Sequence, residues 1–379
     1  MTSNTSLDMD QDLAKFLLDH GATLIVTDVP IGTDFGIDLK SWNTGQKFKG
    51  MKMIPPGFHF IHYSVVNEFG ELAPRVGWFH TFKEKEFVIK KWDVEAEDMS
   101  TEAISEEEAG RFRDNLRDLD KHLGPYPYDT WKLWKELTSK INDDLIERCQ
   151  PLCGRVRSAL ELVGCNDLSR PRGSESMESK RKTGLTVEAQ EELLLPNLKP
   201  KFGTELRLTK LPEKNYPDNA APNEITQYSL DTSYALTTLF KNFKQPLEII
   251  GELQLSFVCF LVGQSLDSFD HWKKLVALIC GADQAISQYQ TIYIEFLKTF
   301  EVQLSHVPQD ILCDIVANKN FVYHNLRILF ASIESNSELI ERLKNESFKI
   351  RTRLSKKFLW DFDNLMEEDE DDAPVIVDT

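Results

Sequence analysis

Positive charge is what this sequence has too little of. It carries 44 Lys and Arg against 61 Asp and Glu, a formal net charge of −17 over 379 residues. A protein that neutralises nucleic-acid phosphates presents a basic face, so direct nucleic-acid binding is not expected, although contact with proteins near RNA is not excluded. Cysteine is scarce as well. Six cysteines in so long a chain, behind a polar start (MTSNTSLDMDQD) that does not read as a signal peptide, imply reduced thiols. The expected location is therefore cytoplasm and nucleus. Long apolar runs are missing too: the longest, Leu255 to Val262, has the length of a helix core, well short of the roughly 18 residues of a membrane span.

Chemical motifs are equally sparse. The glycines of GTDFG at 32–36 lack both the lysine and the following helix of a phosphate cradle. Neither HExxH nor a nucleophile elbow is found. His59 and His62 stand three apart in an expected strand, so they point to opposite faces and read as satisfied strand histidines rather than a metal pair. Cys149, Cys153 and Cys165 have no fourth ligand at zinc spacing and read as buried or incidental thiols. Acids come in runs, the pattern of solvated faces. No cofactor or metal is expected, and a non-enzyme is favoured. The alternatives are a general protein-interaction scaffold and a carboxylate-based hydrolase working in a β-domain cleft.

What is present is core material: 41% apolar and 10% aromatic residues, in a chain long enough for two domains. Period-two alternation predicts strands over Thr23–Asp28, Asp34–Leu39, Lys47–Ile54, Phe58–Val66, Arg75–Phe82 and Phe87–Trp92, with Val76, Trp78, His80 and Phe82 sharing one face. Six short strands with close turns suggest a sandwich or barrel. The period then changes. Thr101–Leu123 reads as a charged helix with Glu106, Glu107 and Glu108 in an early turn, broken at Gly124-Pro125-Tyr126-Pro127. A second helix carries Trp131, Trp134, Thr138, Ile141 and Leu145. From Ala221 onward helical stripes follow one another, among them Tyr289, Ile292, Tyr293, Phe296, Phe300 and Leu304, and then Val322, Leu326, Leu329, Phe330 and Ile333. Short connections make these antiparallel neighbours in a compact or mildly superhelical bundle.

The expected fold class is therefore α+β and multidomain, an N-terminal all-β sandwich-like domain followed by a C-terminal all-α helical domain. Boundaries are placed at 1–165 for the β-rich domain with flanking helices, 166–200 for a flexible linker, 201–362 for the helical domain and 363–379 for an acidic tail. The linker interleaves Arg170, Arg172 and Lys180-Arg181-Lys182 with Ser174, Ser176 and Ser179, which is either a solvated linker or a phosphorylation or nuclear-targeting patch. The tail is the candidate site. Phe358-Leu359-Trp360-Asp361-Phe362 can anchor its root, and Asp361 to Asp372 carries eight acids in twelve residues. The β-branched run Val375, Ile376 and Val377 then needs a sheet edge, its own or a partner's.

Several stretches carry a family resemblance. Val29-Pro30-Ile31-Gly32-Thr33-Asp34-Phe35-Gly36-Ile37-Asp38, Met53-Ile54-Pro55-Pro56-Gly57, His62-Tyr63-Ser64 and Leu123-Gly124-Pro125-Tyr126-Pro127-Tyr128 resemble the a1-cistron splicing factor family. So do Gly203-Thr204-Glu205-Leu206-Arg207, Asp231-Thr232-Ser233-Tyr234-Ala235-Leu236, Gly251-Glu252-Leu253-Gln254 and His271-Trp272-Lys273. The likeness runs in order over nearly the whole chain, with the 166–200 segment least recognisable. The resemblance implies a non-catalytic assembly chaperone of the U5 small nuclear ribonucleoprotein. Such a protein holds the RNase H-like and MPN-like domains of the core scaffold, pre-mRNA-processing factor 8, and blocks premature engagement of the helicase and RNA. Carried onto this sequence, Pro374, Val375, Ile376 and Val377 would be the strand-adding segment.

Overall fold

The computed structural model describes residues 11–67, 69–102, 104–164, 198–307, 320–362 and 365. A helix, α1 (Gln11–His20), leads into seven strands: β1 (Ala22–Thr27), β2 (Asp34–Ile37), β3 (Lys40–Asn43), β4 (Gly50–Ile54), β5 (Gly57–Ser64), β6 (Val76–Phe82) and β7 (Phe87–Asp93). Shorter strands β8 (Asp98–Met99), β9 (Leu123–Pro125) and β10 (Val156–Arg157) complete two five-stranded sheets, ordered β8-β7-β1-β4-β9 and β10-β6-β5-β2-β3. Leu24, Val26, Met51 and Ile54 of the first sheet meet Phe35, Ile37, Ile61, Tyr63 and Trp78 of the second in one buried cluster. The two sheets thus close a sandwich around a shared apolar core.

Several local expectations are corrected. The strand expected over Asp34–Leu39 stops at Ile37, because Asp38 adopts a left-handed backbone with φ 55. Asp tolerates that conformation, and the chain turns back as β3 to pair with β2. The sandwich is also mixed, with β1 parallel to β7 and β4 parallel to β9. Its ninth strand comes from Gly124-Pro125, which sequence reasoning placed only as a helix breaker. Finally, the charged helix shortens to α2 (Glu106–Asp114) and α3 (Leu116–Leu119), with Ser105 as N-cap and Glu106, Glu107 and Glu108 in the first turn. The helix expected through Leu145 divides into α4 (Trp131–Thr138) and α5 (Asp143–Cys149), because the Asn142 side chain accepts from Leu145 N at 2.9 Å and starts a new helix.

Strand β5 explains how the sandwich joins the rest. Its Ile61 and Tyr63 enter the sandwich core, while Phe60 lies in the core of the helical region. Trp134 of α4 donates its Nε1–H to the Phe58 carbonyl at 2.7 Å and stacks on the Phe58 ring. A strand buried on both faces loses strict alternation, hence the dense GFHFIHYS.

The helical region comprises α6 (Pro222–Leu230), α7 (Ser233–Phe240), α8 (Glu248–Leu261), α9 (Leu266–Cys280), α10 (Asp283–Gln288), α11 (Gln290–Leu304), α12 (Phe321–Ser335) and α13 (Glu341–Phe358). Every residue from Ile249 to Phe260 of α8 is buried, so this helix is enclosed on all sides, and its polar members Glu252, Gln254 and Ser256 need partners inside the protein. It lies between α4 and the pair α9 and α11. The approach to the N-terminal half is close: a Cβ on Gly251 would stand 2.6 Å from the Lys140 carbonyl oxygen. Strands β11 (Leu162–Gly164) and β12 (Leu198–Pro200) pair antiparallel and so bring together the two ends that flank residues 165–197. The basic and serine-rich patch lies outside the described residues.

Candidate functional site

Buried polar residues form one cluster within the sandwich and others where it meets the helices. Asp38, fully buried, accepts from Phe60 N at 2.9 Å and from the Tyr126 hydroxyl at 2.6 Å, and lies 2.7 Å from His59 Nδ1. The other ring nitrogen of His59 faces the Pro55 carbonyl at 2.8 Å. Burial first, and then the Asp38 charge, push the Tyr126 hydroxyl far above its ordinary value, so it stays a donor. Each polar atom of this cluster is matched, which is the arrangement of a structural clasp between β2, β5 and the turn after β9. The signal for it was present, since Asp38, His59 and Tyr126 flank or fall inside the motif stretches, but nothing in the spacing said that they meet.

His62 points the other way, as expected from strand geometry, and stacks on Phe60. It departs from the expectation of a satisfied histidine. Nε2 lies 3.3 Å from the Asp38 carbonyl, whereas Nδ1 has no partner among the described residues. Burial, reinforced by neighbouring Arg75, lowers its pKa to about 4 against the weaker pull of Asp38 and Asp34. Arg75 spans the joint, donating from Nη1 to the Val262 carbonyl at 3.0 Å and from Nη2 to Asp34 at 3.1 Å. His62, Arg75 and Val262, with Lys40, Leu133, Leu261 and His306, line a cleft of about 310 Å³ between the sandwich and the helices.

In the second turn of α8, Glu252 is fully buried yet ionised. Burial pushes its carboxyl up, but His271 and Thr209 more than offset this and hold it below the ordinary value. Thr209 N and Oγ1 each donate at 2.6 Å, and the Arg148 guanidinium lies at 3.0 Å. Asp144, Glu161, Asp218 and Glu295 are likewise lowered, each by a hydrogen-bonded lysine: Lys244, Lys201, Lys214 and Lys140. Carboxylates held low by cations serve ion pairs better than proton transfer near neutral pH. Among the described residues no group of three or more His, Cys, Asp and Glu side chains is placed to hold a metal. Cys149 is buried and Cys153 exposed; Cys165 lies outside the described residues.

The root of the tail is fixed. Beyond α13 the chain turns at Leu359 through a left-handed backbone, φ 58, and inserts Trp360 and Phe362, 7% and 3% exposed. Their rings pack on Tyr323 at 5.9 and 5.3 Å, with Phe330 edge-on to Phe362 at 5.1 Å and Phe358 stacked on Trp360 at 4.7 Å. The Tyr323 hydroxyl donates to the Asp361 carbonyl. The aromatic anchor expected from Phe358 to Phe362 is therefore present. Pro374, Val375, Ile376 and Val377, the expected strand-adding residues, lie outside the described residues.

This two-part architecture corresponds to known proteins. Residues 20–151 match the family model for the AAR2 N-terminal domain, and residues 208–363 match that for the AAR2 C-terminal repeat region. The chain belongs to the AAR2 family. It is 38% identical to the human Protein AAR2 homolog over 98% of this chain and 97% of that one. It is 32% identical to the Caenorhabditis elegans homolog over 93% of this chain and 97% of that one. With A1 cistron-splicing factor AAR2 of Saccharomyces cerevisiae it shares 24% identity over 75% of this chain and 79% of the yeast one. The AAR2 family is thus one of splicing-related factors. The clasp residues Asp38, His59 and Tyr126 fall within the first matched region and Glu252 within the second.

Proposed function

We propose that this AAR2-family chain is a non-catalytic assembly chaperone of the U5 small nuclear ribonucleoprotein in pre-mRNA splicing. It binds the RNase H-like and MPN-like domains of the scaffold, pre-mRNA-processing factor 8, and delays engagement of the helicase and RNA. It acts in the cytoplasm and nucleus and without a cofactor. Family membership supports the splicing role. The observation that carries the mode of action is the aromatic cage around Trp360 and Phe362, which starts the acidic C-terminal segment from a packed point on the helical region. A tether so rooted delivers Pro374, Val375, Ile376 and Val377 to a partner's sheet edge by strand addition. Lowered, ion-paired carboxylates favour this reading over a hydrolase.

The test is capture from cell extract by the full chain and by a chain lacking Ala373–Thr379, read by mass spectrometry, with both thermal transitions recorded. The expected result is loss of the scaffold protein at an unchanged transition temperature. Unchanged capture together with a lowered transition would make the segment a strand of the protein's own fold and sink the proposal.

A further inference from the structure

On this acidic chain one groove is basic. Helices α4 and α11 form a surface groove of about 490 Å³, lined by Trp131, Val302 and four lysines, Lys132, Lys135, Lys140 and Lys298, against two acids, Glu136 and Glu295. Glu295 is already shared by Lys140 at 2.9 Å and Lys298 at 3.4 Å. Lys135 lies 4.3 Å from the centre of the Trp131 ring. Among the described residues neither Lys132 nor Lys135 has a carboxylate within ion-pair distance. Two cations on an apolar floor are thus left for an anionic occupant.

The same end of the molecule holds the root of the tail. Lys357, in the last turn of α13, donates to the Ser305 carbonyl at 3.5 Å. His306 next to it feels both Lys357 and the groove residue Glu136. Lys298 stands seven residues before Ser305 on α11, about 10 Å along a helix. Phe362 and Glu367 are five residues apart, and Phe362 and Asp372 ten, which in extended chain reach about 17 and 35 Å. The six consecutive acids Glu367–Asp372 thus lie on a length of chain longer than the roughly 10 Å from Ser305 to Lys298.

We propose that Glu367–Asp372 docks into the lysine groove of its own chain, an electrostatic latch in the free protein. The latch covers Trp131 and Lys135 and fixes where Ala373–Thr379 begins. It depends on charge more than shape, so it is open to competition from an acidic partner and weakened by salt. It does not require the partner assigned above to be correct.

The test is carbodiimide cross-linking of the full chain, which joins a lysine amine directly to a carboxylate only when the two are in contact. Peptide mapping should find links from Glu367–Asp372 to Lys132, Lys135 or Lys298 at low salt. These links should fall several-fold in about 1 M salt, where the screening length shrinks to about 3 Å. They should also fall in the double variant Lys132→Gln, Lys135→Gln. The Lys140–Glu295 pair serves as an internal positive control in every sample, and a mixture of isotopically heavy and light chains separates links within one molecule from links between two. The proposal is overturned if the control link forms while the acidic segment gives no link, links only to lysines outside the groove, or links only between heavy and light chains.

Discussion

Acid should weaken this fold in part through one buried ring. His62 is almost fully buried, and its pKa falls from 6.5 to about 4 because burial and Arg75 both disfavour the cation. A group with a depressed folded-state pKa contributes stability that is complete above its unfolded value and is lost as pH drops toward the folded one. The window therefore runs from about pH 6.5 down to pH 4. Between pH 7.5 and 5.5 the loss works out at about 1.4 kcal/mol, roughly tenfold in the folding equilibrium. A measurement at pH 5.5 stays above the isoelectric point near 5.0, where low net charge would promote association. The assay is urea unfolding of the native chain and of His62→Gln at both pH values. Glutamine can still donate to the Asp38 carbonyl but does not titrate here. The native chain should lose about 1.4 kcal/mol more than the variant between the two pH values. Equal losses in both proteins would refute the argument that His62 is held neutral by burial against Arg75.

Glu252→Ala should cost about 3–5 kcal/mol in urea unfolding, since it leaves Arg148, His271 and Thr209 facing an empty buried site; a cost under 1 kcal/mol would contradict the assignment of Glu252 as the centre of the network. Gly36→Ala sets a methyl against the His62 ring and 2.5 Å from the Lys40 carbonyl, which should lower stability by about 1–3 kcal/mol. Gly45→Ala, where a Cβ meets nothing within 4 Å, should stay within about 0.5 kcal/mol, and similar melting temperatures for the two would argue against the packing. A maleimide at neutral pH, followed by peptide mapping, should label exposed Cys153 rapidly. Cys149, Cys259 and Cys280 should be protected until unfolding, because burial raises their thiols.

Periodicity in the sequence determined the elements. Val322, Leu326, Leu329, Phe330 and Ile333 are all buried along α12, because a helix that packs on a core must repeat apolar residues at 3.6. The division into a β-rich first half and a helical second half was legible for the same reason, and the anchor at Trp360 and Phe362 from its run of aromatic residues. Strand limits were less so: Asp38 ends β2 by its backbone conformation, and Asn142 splits a helix by capping, choices that depend on where the neighbouring segments lie. Only the tertiary structure decided that β5 is buried on both faces and that Asp38, His59 and Tyr126 close on one another. The burial of Glu252 as an anion inside a helix enclosed from Ile249 to Phe260 and the sharing of one groove by four lysines were likewise settled only there. Each of these joins residues tens to hundreds of positions apart, and local pattern carries no information about which distant groups will supply the charge or hydrogen bond that a buried polar atom requires.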